Sequence, residues 1–255
     1  MEIRILGPVE LAASADQRPP ALKQRAVLGA LAVNCGRVVS AEQLIDYLWP
    51  PEFKPSTARA ALQVHVSGLR KHLREAQYDP GLIATRAPGY LLRSDPAVPL
   101  DLHAFEAEVG AARTAELAGR VPEAVGILTA ALGRWHGPAL ADLRGFPQLD
   151  LVGRRLDERR MEAYERLVEL ELRLGWHAAV VGDLFGAVAE FPLRESLHAQ
   201  LMLALYRSGR TAEALAAYET ARRLSVEELG LEPGPALSRL HYAILTRDDA
   251  IATPA

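Results

Sequence analysis

The sequence contains one cysteine, Cys35, among its 255 residues. An internal disulfide is therefore impossible, and a reducing cytoplasm is the simplest setting for the chain. No apolar run approaches the roughly 18 residues that a membrane-spanning helix needs, so we expect no membrane partner. The first seven residues lack a basic segment followed by a long apolar one. They predict an opening strand and not a signal peptide.

The chain also lacks the short motifs of common enzyme classes. It has no GxxxxGKS/T phosphate loop, no HExxH zinc pair, no GxSxG nucleophile turn and no CxxC pair. His65 and His72 lie two helical turns apart, roughly 10 Å along the axis, which is too far for both to bind one metal ion. We therefore expect a protein that is not an enzyme and that binds no cofactor and no metal.

Acidic residues are scarce in one part of the chain, although the net charge is −3. Residues 54–93 contain seven Lys or Arg and two Asp or Glu, whereas residues 96–255 contain 17 and 23. A local basic patch concentrates a polyanion whatever the overall sign of the charge. This asymmetry indicates two domains that face different partners.

The basic region contains a helical pattern over residues 56–75, with Ser56 as the predicted N-cap. One stripe of this helix is apolar and suits a core; it consists of Leu62, Val66, Leu69 and Leu73. A neighbouring stripe offers cations and short hydrogen-bonding groups to a long anion; it consists of Arg59, Gln63, Ser67, Arg70 and Arg74, flanked by Lys71. Such groups suit the phosphates and base edges of a DNA duplex.

About ten residues later, residues 83–92 predict a strand, a Pro-Gly turn and a second strand. Arg86 lies near the tip, where it would enter the minor groove, and Thr85 would hydrogen-bond a phosphate. Tyr90 is open to two interpretations, as a phosphate contact or as a core aromatic residue that holds the hairpin. A basic helix followed by a hairpin that carries a cation predicts a winged-helix DNA-binding domain.

Shorter elements precede the basic helix. Residues 1–12 predict two strands, and residues 13–20 predict a polar turn. A helix over residues 22–35 is expected to stop at Gly36, and the next helix to begin after Ser40 as its N-cap. Three prolines predict an extended loop over residues 50–55.

A Pro-rich joint at residues 94–99 precedes a region that is helical almost throughout. Gly119, Gly175 and Gly209 each follow one helix and precede another within about three residues, and the last two are 34 residues apart. This spacing is the period of tetratricopeptide (TPR) helix pairs. The sequence therefore predicts a mainly α fold. An α+β winged helix-turn-helix domain (residues 1–94) is followed by an all-α TPR-like domain (95–248) and a frayed tail (249–255).

Taken together, these segments resemble the Streptomyces antibiotic regulatory protein (SARP) family, which joins an OmpR-type winged helix to a bacterial transcriptional activation domain. The matching segments are LIDYLW (44–49), ALQVHVSGLR (61–70), PGY (88–90), WHGPAL (135–140), PLRE (192–195), LMLALYRSGR (201–210) and ELGLEPG (228–234). Gly68 stands where the family often has Arg.

The resemblance implies a transcriptional activator, located in the cytoplasm on the nucleoid, of a secondary-metabolite (antibiotic) gene cluster. It implies that two or more protomers bind direct repeats near the promoter −35 region and contact the principal sigma factor of RNA polymerase. It also implies that the loop between the second and third helices lies near polymerase, which makes Glu52, Phe53 and Lys54 candidate contacts; a mere connector is the alternative. A TPR-type adaptor, or a repressor with the same DNA contacts, remains open. The candidate DNA contacts are Arg59, Gln63, Ser67, Arg70, Lys71, Arg74, Thr85, Arg86 and Tyr90.

Overall fold

The computed structural model describes residues 2–12 and 20–252, which fall into two compact units. The first comprises Met1–Ala111 and Thr129–Met161, and the second comprises Ala112–Leu128 and Glu162–Ala255. The fold is mainly α, with a winged helix-turn-helix followed by a helical region, and this confirms the predicted fold class. Most of the predicted turn at 13–20 lies outside the described residues. None of the helices described has the length and apolar character needed to cross a membrane.

The winged helix lies in the first unit and combines short strands with three helices. Its central sheet is antiparallel with the order β3-β5-β4, and a separate two-stranded sheet pairs β1 with β2. The elements are β1 (Glu2–Arg4), β2 (Glu10–Ala12), α1 (Leu22–Ala32), β3 (Val38–Ser40), α2 (Ala41–Leu48), α3 (Ala58–Glu75), β4 (Ile83–Arg86) and β5 (Gly89–Leu92).

The hairpin of β4 and β5 forms where it was predicted, whereas β3 was not expected from the sequence. In the register, Tyr90 of β5 lies opposite Thr85 on one side and Val39 on the other. A three-residue strand is too short to show a period of two, so only its pairing with β5 reveals it.

The ends of α1 and α2 follow local capping chemistry. Ser40 caps α2 as predicted, because its Oγ accepts from the Gln43 N–H at 3.1 Å while Gln43 Oε1 accepts from the Ser40 N–H at 3.1 Å. α1 ends at Ala32, three residues earlier than expected, and turns lead to Gly36. The φ of +81° at Gly36 is one that glycine adopts without strain.

The apolar stripe of α3 is buried as predicted, but two expectations about its approach were wrong. The helix begins at Ala58 after Thr57, and not after Ser56, because a turn closed by the Ala58 N–H and the Pro55 carbonyl at 3.0 Å precedes it. The preceding loop is not extended throughout, since Pro51–Phe53 form a 3₁₀ turn. Pro51 suits the first position of that turn, where its fixed φ fits and a missing N–H costs nothing.

A buried carboxylate fastens the N-terminal segment within the first unit. Asp101, which is 2% exposed, starts the helix α4 (Asp101–Leu117) and accepts the backbone N–H groups of Ile5, Leu6 and Leu102 at 2.7–3.1 Å. Burial raises the pKa of this carboxyl above its ordinary value, against the opposing effect of these hydrogen bonds. The first unit thus contains residues on both sides of the Pro-rich joint.

The remaining helices are α5 (Val121–Leu132), α6 (Pro147–Arg173), α7 (His177–Glu190), α8 (Glu195–Arg207), α9 (Thr211–Leu229), α10 (Pro235–Leu245) and α11 (Asp249–Ala252). In the second unit α8 is central and packs against α7, α9 and α10. Gly119, Gly175 and Gly209 follow helices with φ near +80°, as expected for glycines that end them.

The first four residues of the predicted frayed tail are helical. Residues Asp249–Ala252 form α11, whose Ile251 carbonyl accepts from Arg207 Nε at 2.9 Å. Residues 253–255 lie outside the described residues.

Candidate nucleic-acid interface

One face of α3 is exposed from its first turn to its last. The side chains on this face are Arg59, Gln63, Ser67, Lys71 and Arg74, all of them predicted contacts. From Arg59 to Arg74 the helix rises about 22 Å, at 1.5 Å per residue. An α-helix fits the major groove of B-DNA, so this face presents cations and hydrogen-bonding groups along a length that a groove accepts.

Several cations of this surface are not neutralised by neighbouring carboxylates. Among the described residues, Arg59, Arg74 and Arg86 form no ion pair with an acidic side chain. Lys71 Nζ lies 3.6 Å from a carboxylate oxygen of Glu75, but both side chains are exposed. Exposed pairs of this kind contribute little, so Lys71 remains available to a phosphate.

Arg70 differs from the other candidates because its guanidinium is turned toward the hairpin. Its Nε and Nη2 donate to the Ile83 carbonyl at 2.9 and 2.6 Å, and Nη2 also donates to Thr85 Oγ1 at 2.9 Å. β4 is one of the two edge strands of the sheet, so its outward carbonyls are free to accept from side chains. Arg70 therefore joins α3 to the hairpin, a role that the sequence did not predict.

The tip of the hairpin presents Thr85 and Arg86, both exposed. The turn behind them depends on Gly89, because a Cβ built there would lie 2.0 Å from the Val39 carbonyl oxygen and 2.7 Å from Ala41 N. The close approach of β3 to β5 thus requires glycine at this position. Gly89 is also the residue that pairs with Arg86, the last residue of β4.

Tyr90 lies on the central strand β5 and is 9% exposed. Its backbone is paired with Val39 of β3 and Thr85 of β4. This burial favours the packing role that the sequence had left open over a contact with phosphate, because a phosphate contact needs the side chain at the surface.

The histidines of α3 have packing partners. The His65 ring lies 6.3 Å from the ring of Trp49, and Lys23 Nζ lies 4.4 Å above that indole. Burial, followed by the charge of Lys23, lowers the pKa of His65. His72 Nδ1 lies 2.9 Å from the Gly68 carbonyl oxygen. Within the described ranges, no cluster of His, Cys, Asp and Glu could hold a metal ion.

Gly68 lies beside α1 at the edge of the exposed face. A Cβ built at Gly68 would lie 2.1 Å from Gln24 Nε2, the far end of a flexible side chain. A larger residue at position 68 would displace the Gln24 amide, whereas Gly68 leaves room for it.

Val64, which is 67% exposed on the same helix, was not among the predicted contacts. At 100° per residue it lies close to Lys71 on the exposed arc, well away from the buried stripe. The available signal was an apolar residue outside that stripe. An exposed aliphatic side chain among polar ones suits the methyl group of thymine in the major groove.

The loop between α2 and α3 exposes the three residues assigned to polymerase contact. Phe53 is 75% exposed, and Glu52 and Lys54 are exposed beside it. Lys54 Nζ lies 3.2 Å from Asp46 Oδ1 of α2, and this exposed pair contributes little. A single exposed apolar side chain is common on protein surfaces, and this one is accessible to a partner.

Two family models match the chain. The model described as "Transcriptional regulatory protein, C terminal" matches residues 20–92, and the "Bacterial transcriptional activator domain" matches residues 100–245. The first of these covers α1 to β5, and therefore α3 and the hairpin.

Individual proteins match over nearly the whole chain. Regulatory protein AfsR of Streptomyces coelicolor is 42% identical over 230 residues, covering 90% of this chain but 22% of AfsR. Regulatory protein DnrI of Streptomyces peucetius is 35% identical over 258 residues, covering 98% of this chain and 94% of DnrI. The chain thus spans less than a quarter of this AfsR and nearly all of DnrI.

A solved structure of Mycobacterium tuberculosis EmbR, in complex with a low-affinity phosphopeptide, superimposes with a TM-score of 0.89 at 38% identity. The match covers 96% of this chain and 65% of that one. Both matched models describe domains of transcriptional regulators, and these relatives are named as regulatory proteins. The chain therefore belongs to the SARP family of bacterial transcriptional regulators.

Proposed function

We propose that this protein is a sequence-specific activator that binds direct repeats near a promoter −35 region and recruits RNA polymerase. Residues 1–94 would bind DNA, residues 95–248 would form the activation domain, and 249–255 would be a tail. Two or more protomers would act together on the nucleoid, in the cytoplasm. A secondary-metabolite gene cluster is the proposed target, by analogy with the family.

The main observation behind this proposal is that Arg70 connects α3 to the hairpin by hydrogen bonds. Three hydrogen bonds from one guanidinium hold the exposed face of α3 beside the strand that leads to Arg86. A helix in the major groove and a hairpin cation in the adjacent minor groove must keep a fixed separation to bind one duplex. Arg59, Lys71, Arg74 and Arg86 would meet phosphates or the minor groove, while Gln63, Ser67 and Val64 would meet base edges.

The proposed polymerase contact is the loop that carries Glu52, Phe53 and Lys54. The exposed Phe53 ring would bury apolar surface against the principal sigma factor, and its charged neighbours would orient the approach. The alternative is a loop that only connects two helices.

Footprinting on the intergenic regions beside the protein's own gene tests the DNA-binding part. Protection of two or more repeats, spaced by about one helical turn of DNA or a multiple of it, is expected. An adaptor would leave these regions unprotected.

Run-off transcription with polymerase that contains the principal sigma factor then separates an activator from a repressor. The activator raises the amount of transcript from the protected promoter, and a repressor lowers it.

A triple variant with Glu52→Ala, Phe53→Ala and Lys54→Ala should reduce transcription while DNA affinity is unchanged. Glu10→Ala, an exposed change on β2, serves as a control that should alter neither. Equal losses of binding and transcription in the triple variant would reject the polymerase contact.

A further inference from the structure

The second unit contains a pocket of about 420 Å³ among α7, α8 and α9. Its apolar lining includes Phe185 and Val188 of α7, Leu201 of α8 and Leu224 of α9. Pockets that bind small organic molecules usually measure about 300–1,000 Å³ and are mainly apolar. The size and lining of this pocket therefore suit a compact apolar molecule.

Three polar side chains also line the pocket, and two of them have partners. The carboxylate of Glu213 accepts two hydrogen bonds from Arg210, at 2.8 and 2.6 Å. The hydroxyl of Thr220 donates to the Ala216 carbonyl at 3.0 Å. The third is His198, which comes from the central helix α8.

His198 is 1% exposed and has one ring nitrogen engaged. Its Nε2 lies 2.8 Å from the Pro192 carbonyl oxygen. A carbonyl only accepts, so Nε2 carries the proton, and the neutral ring then leaves Nδ1 as an acceptor. Nδ1 is buried and has no hydrogen-bond partner among the described residues. Buried polar atoms in folded proteins are nearly always paired, and among the residues that line this pocket His198 is the one that carries a buried unpaired atom.

We propose that this pocket binds a small, uncharged, mainly apolar organic molecule that donates one hydrogen bond to His198 Nδ1. The donor would be a hydroxyl, a phenol or an amide N–H. A carboxylate or phosphate ligand is disfavoured, because it brings no donor for Nδ1 and would lie near the Glu213 carboxylate. The site is separate from the DNA-binding face and does not depend on the proposed function.

A pair of matched probes tests the donor requirement on the full chain. 1-Naphthol has a flat apolar body with a hydroxyl donor, and 1-methoxynaphthalene has the same body without the donor. In calorimetric titrations, we expect one equivalent of 1-naphthol to bind, about tenfold more tightly than 1-methoxynaphthalene, which is the typical effect of one hydrogen bond to a buried acceptor.

Two substitutions and a control locate the binding. His198→Gln keeps a donor for the Pro192 carbonyl but replaces the ring Nδ1 by an amide oxygen in a different place, so the preference for 1-naphthol should shrink. Ala216→Trp, at an exposed position on the wall of the pocket, should abolish binding of both probes. Ala212→Trp, one turn earlier on α9 and outside the lining, should leave binding intact.

The proposal is overturned if 1-naphthol does not bind saturably, if both probes bind equally, or if Ala216→Trp binds as the unmodified chain does. If His198→Gln fails to fold in a thermal melt, the probe pair with the unmodified chain and the two tryptophan variants still decides the question. DNA binding is not part of this readout, so a failure here is distinct from a failure of the proposed function.

Discussion

The carbonyl oxygen of Ile83 accepts two hydrogen bonds from the guanidinium of Arg70, one from Nη2 at 2.6 Å and one from Nε at 2.9 Å. The two residues belong to α3 and to the edge strand of the hairpin, the two parts that would contact the major and minor grooves. A guanidinium can donate from two nitrogens to one oxygen in a fixed plane, which an ammonium cannot do. We therefore propose Arg70 as a positioning residue between the two parts that would contact DNA.

Arg70→Lys tests this positioning role, since it keeps the charge and loses the planar fork. We expect DNA affinity to fall by about tenfold, within the range for lost hydrogen bonds from a charged donor. The slope of log affinity against log salt should stay unchanged, because no phosphate contact is lost. Fluorescence anisotropy at several salt concentrations measures both quantities. A reduced slope in Arg70→Lys would show instead that Arg70 contacts phosphate.

Val64 is predicted to contact the methyl group of a thymine. Replacing that thymine by deoxyuridine should weaken binding of the unmodified chain by about threefold to tenfold, and should have no effect on Val64→Ala. A thymine-to-deoxyuridine scan across the footprint, repeated with both proteins, measures this coupling. A scan in which the two proteins respond alike at every position would remove Val64 from base recognition.

Gly89 should tolerate no side chain. In Gly89→Ala the new Cβ would meet the Val39 carbonyl, so backbone must move, and we expect the free energy of unfolding to fall by about 3 kcal/mol. Gly126→Ala is a matched control on α5, where nothing lies within 4 Å of a new Cβ and a rise of up to about 1 kcal/mol is expected. Urea denaturation measures both. Similar effects in the two variants would contradict the close approach of β3 to β5.

Asp101 should stabilise the attachment of the N-terminal segment to α4. Asp101→Ala leaves three buried N–H groups without an acceptor, and we expect the free energy of unfolding to fall by about 3 kcal/mol in urea denaturation at neutral pH. A fall below about 0.5 kcal/mol would contradict this role.

The raised pKa of Asp101 also predicts a pH dependence. The folded chain holds this proton more tightly than the unfolded chain, so the stabilising contribution is complete below the unfolded pKa of about 3.9. It is lost as the pH rises through the folded pKa. Over that window, the stability of the unmodified chain should fall relative to Asp101→Asn, which has no proton to release there. A relative increase would contradict the assigned direction.

The helix and hairpin of the candidate interface were predictable because each has a strong local signal. The stripe from Leu62 to Leu73 repeats at helical spacing over more than three turns, and the Pro88-Gly89 pair marks a turn between two apolar runs. Both signals depend on residues close together in sequence. They located the interface without reference to distant contacts.

The role of Arg70 and the strand β3 were not predictable in this way. Helical spacing places Arg70 beside the basic stripe, but only the packing of β4 against α3 decides that its guanidinium meets the Ile83 carbonyl. β3 exists through its pairing with β5, about fifty residues later. The burial of Tyr90 likewise depends on strands to either side of it, one of which the sequence did not reveal.

The most direct test of DNA binding by the cations of α3 and the hairpin is a salt titration of the full chain on its footprinted promoter. With four to six phosphates neutralised per protomer, log affinity should fall with log salt at a slope of about −4 to −5. Arg74→Ala and Arg86→Ala should each make the slope about 1 unit shallower, whereas Arg120→Ala, an exposed cation outside the winged helix, should leave it unchanged. A slope near zero for the unmodified chain would contradict DNA binding by these cations. Slopes for Arg74→Ala and Arg86→Ala equal to that of the unmodified chain would contradict it as well.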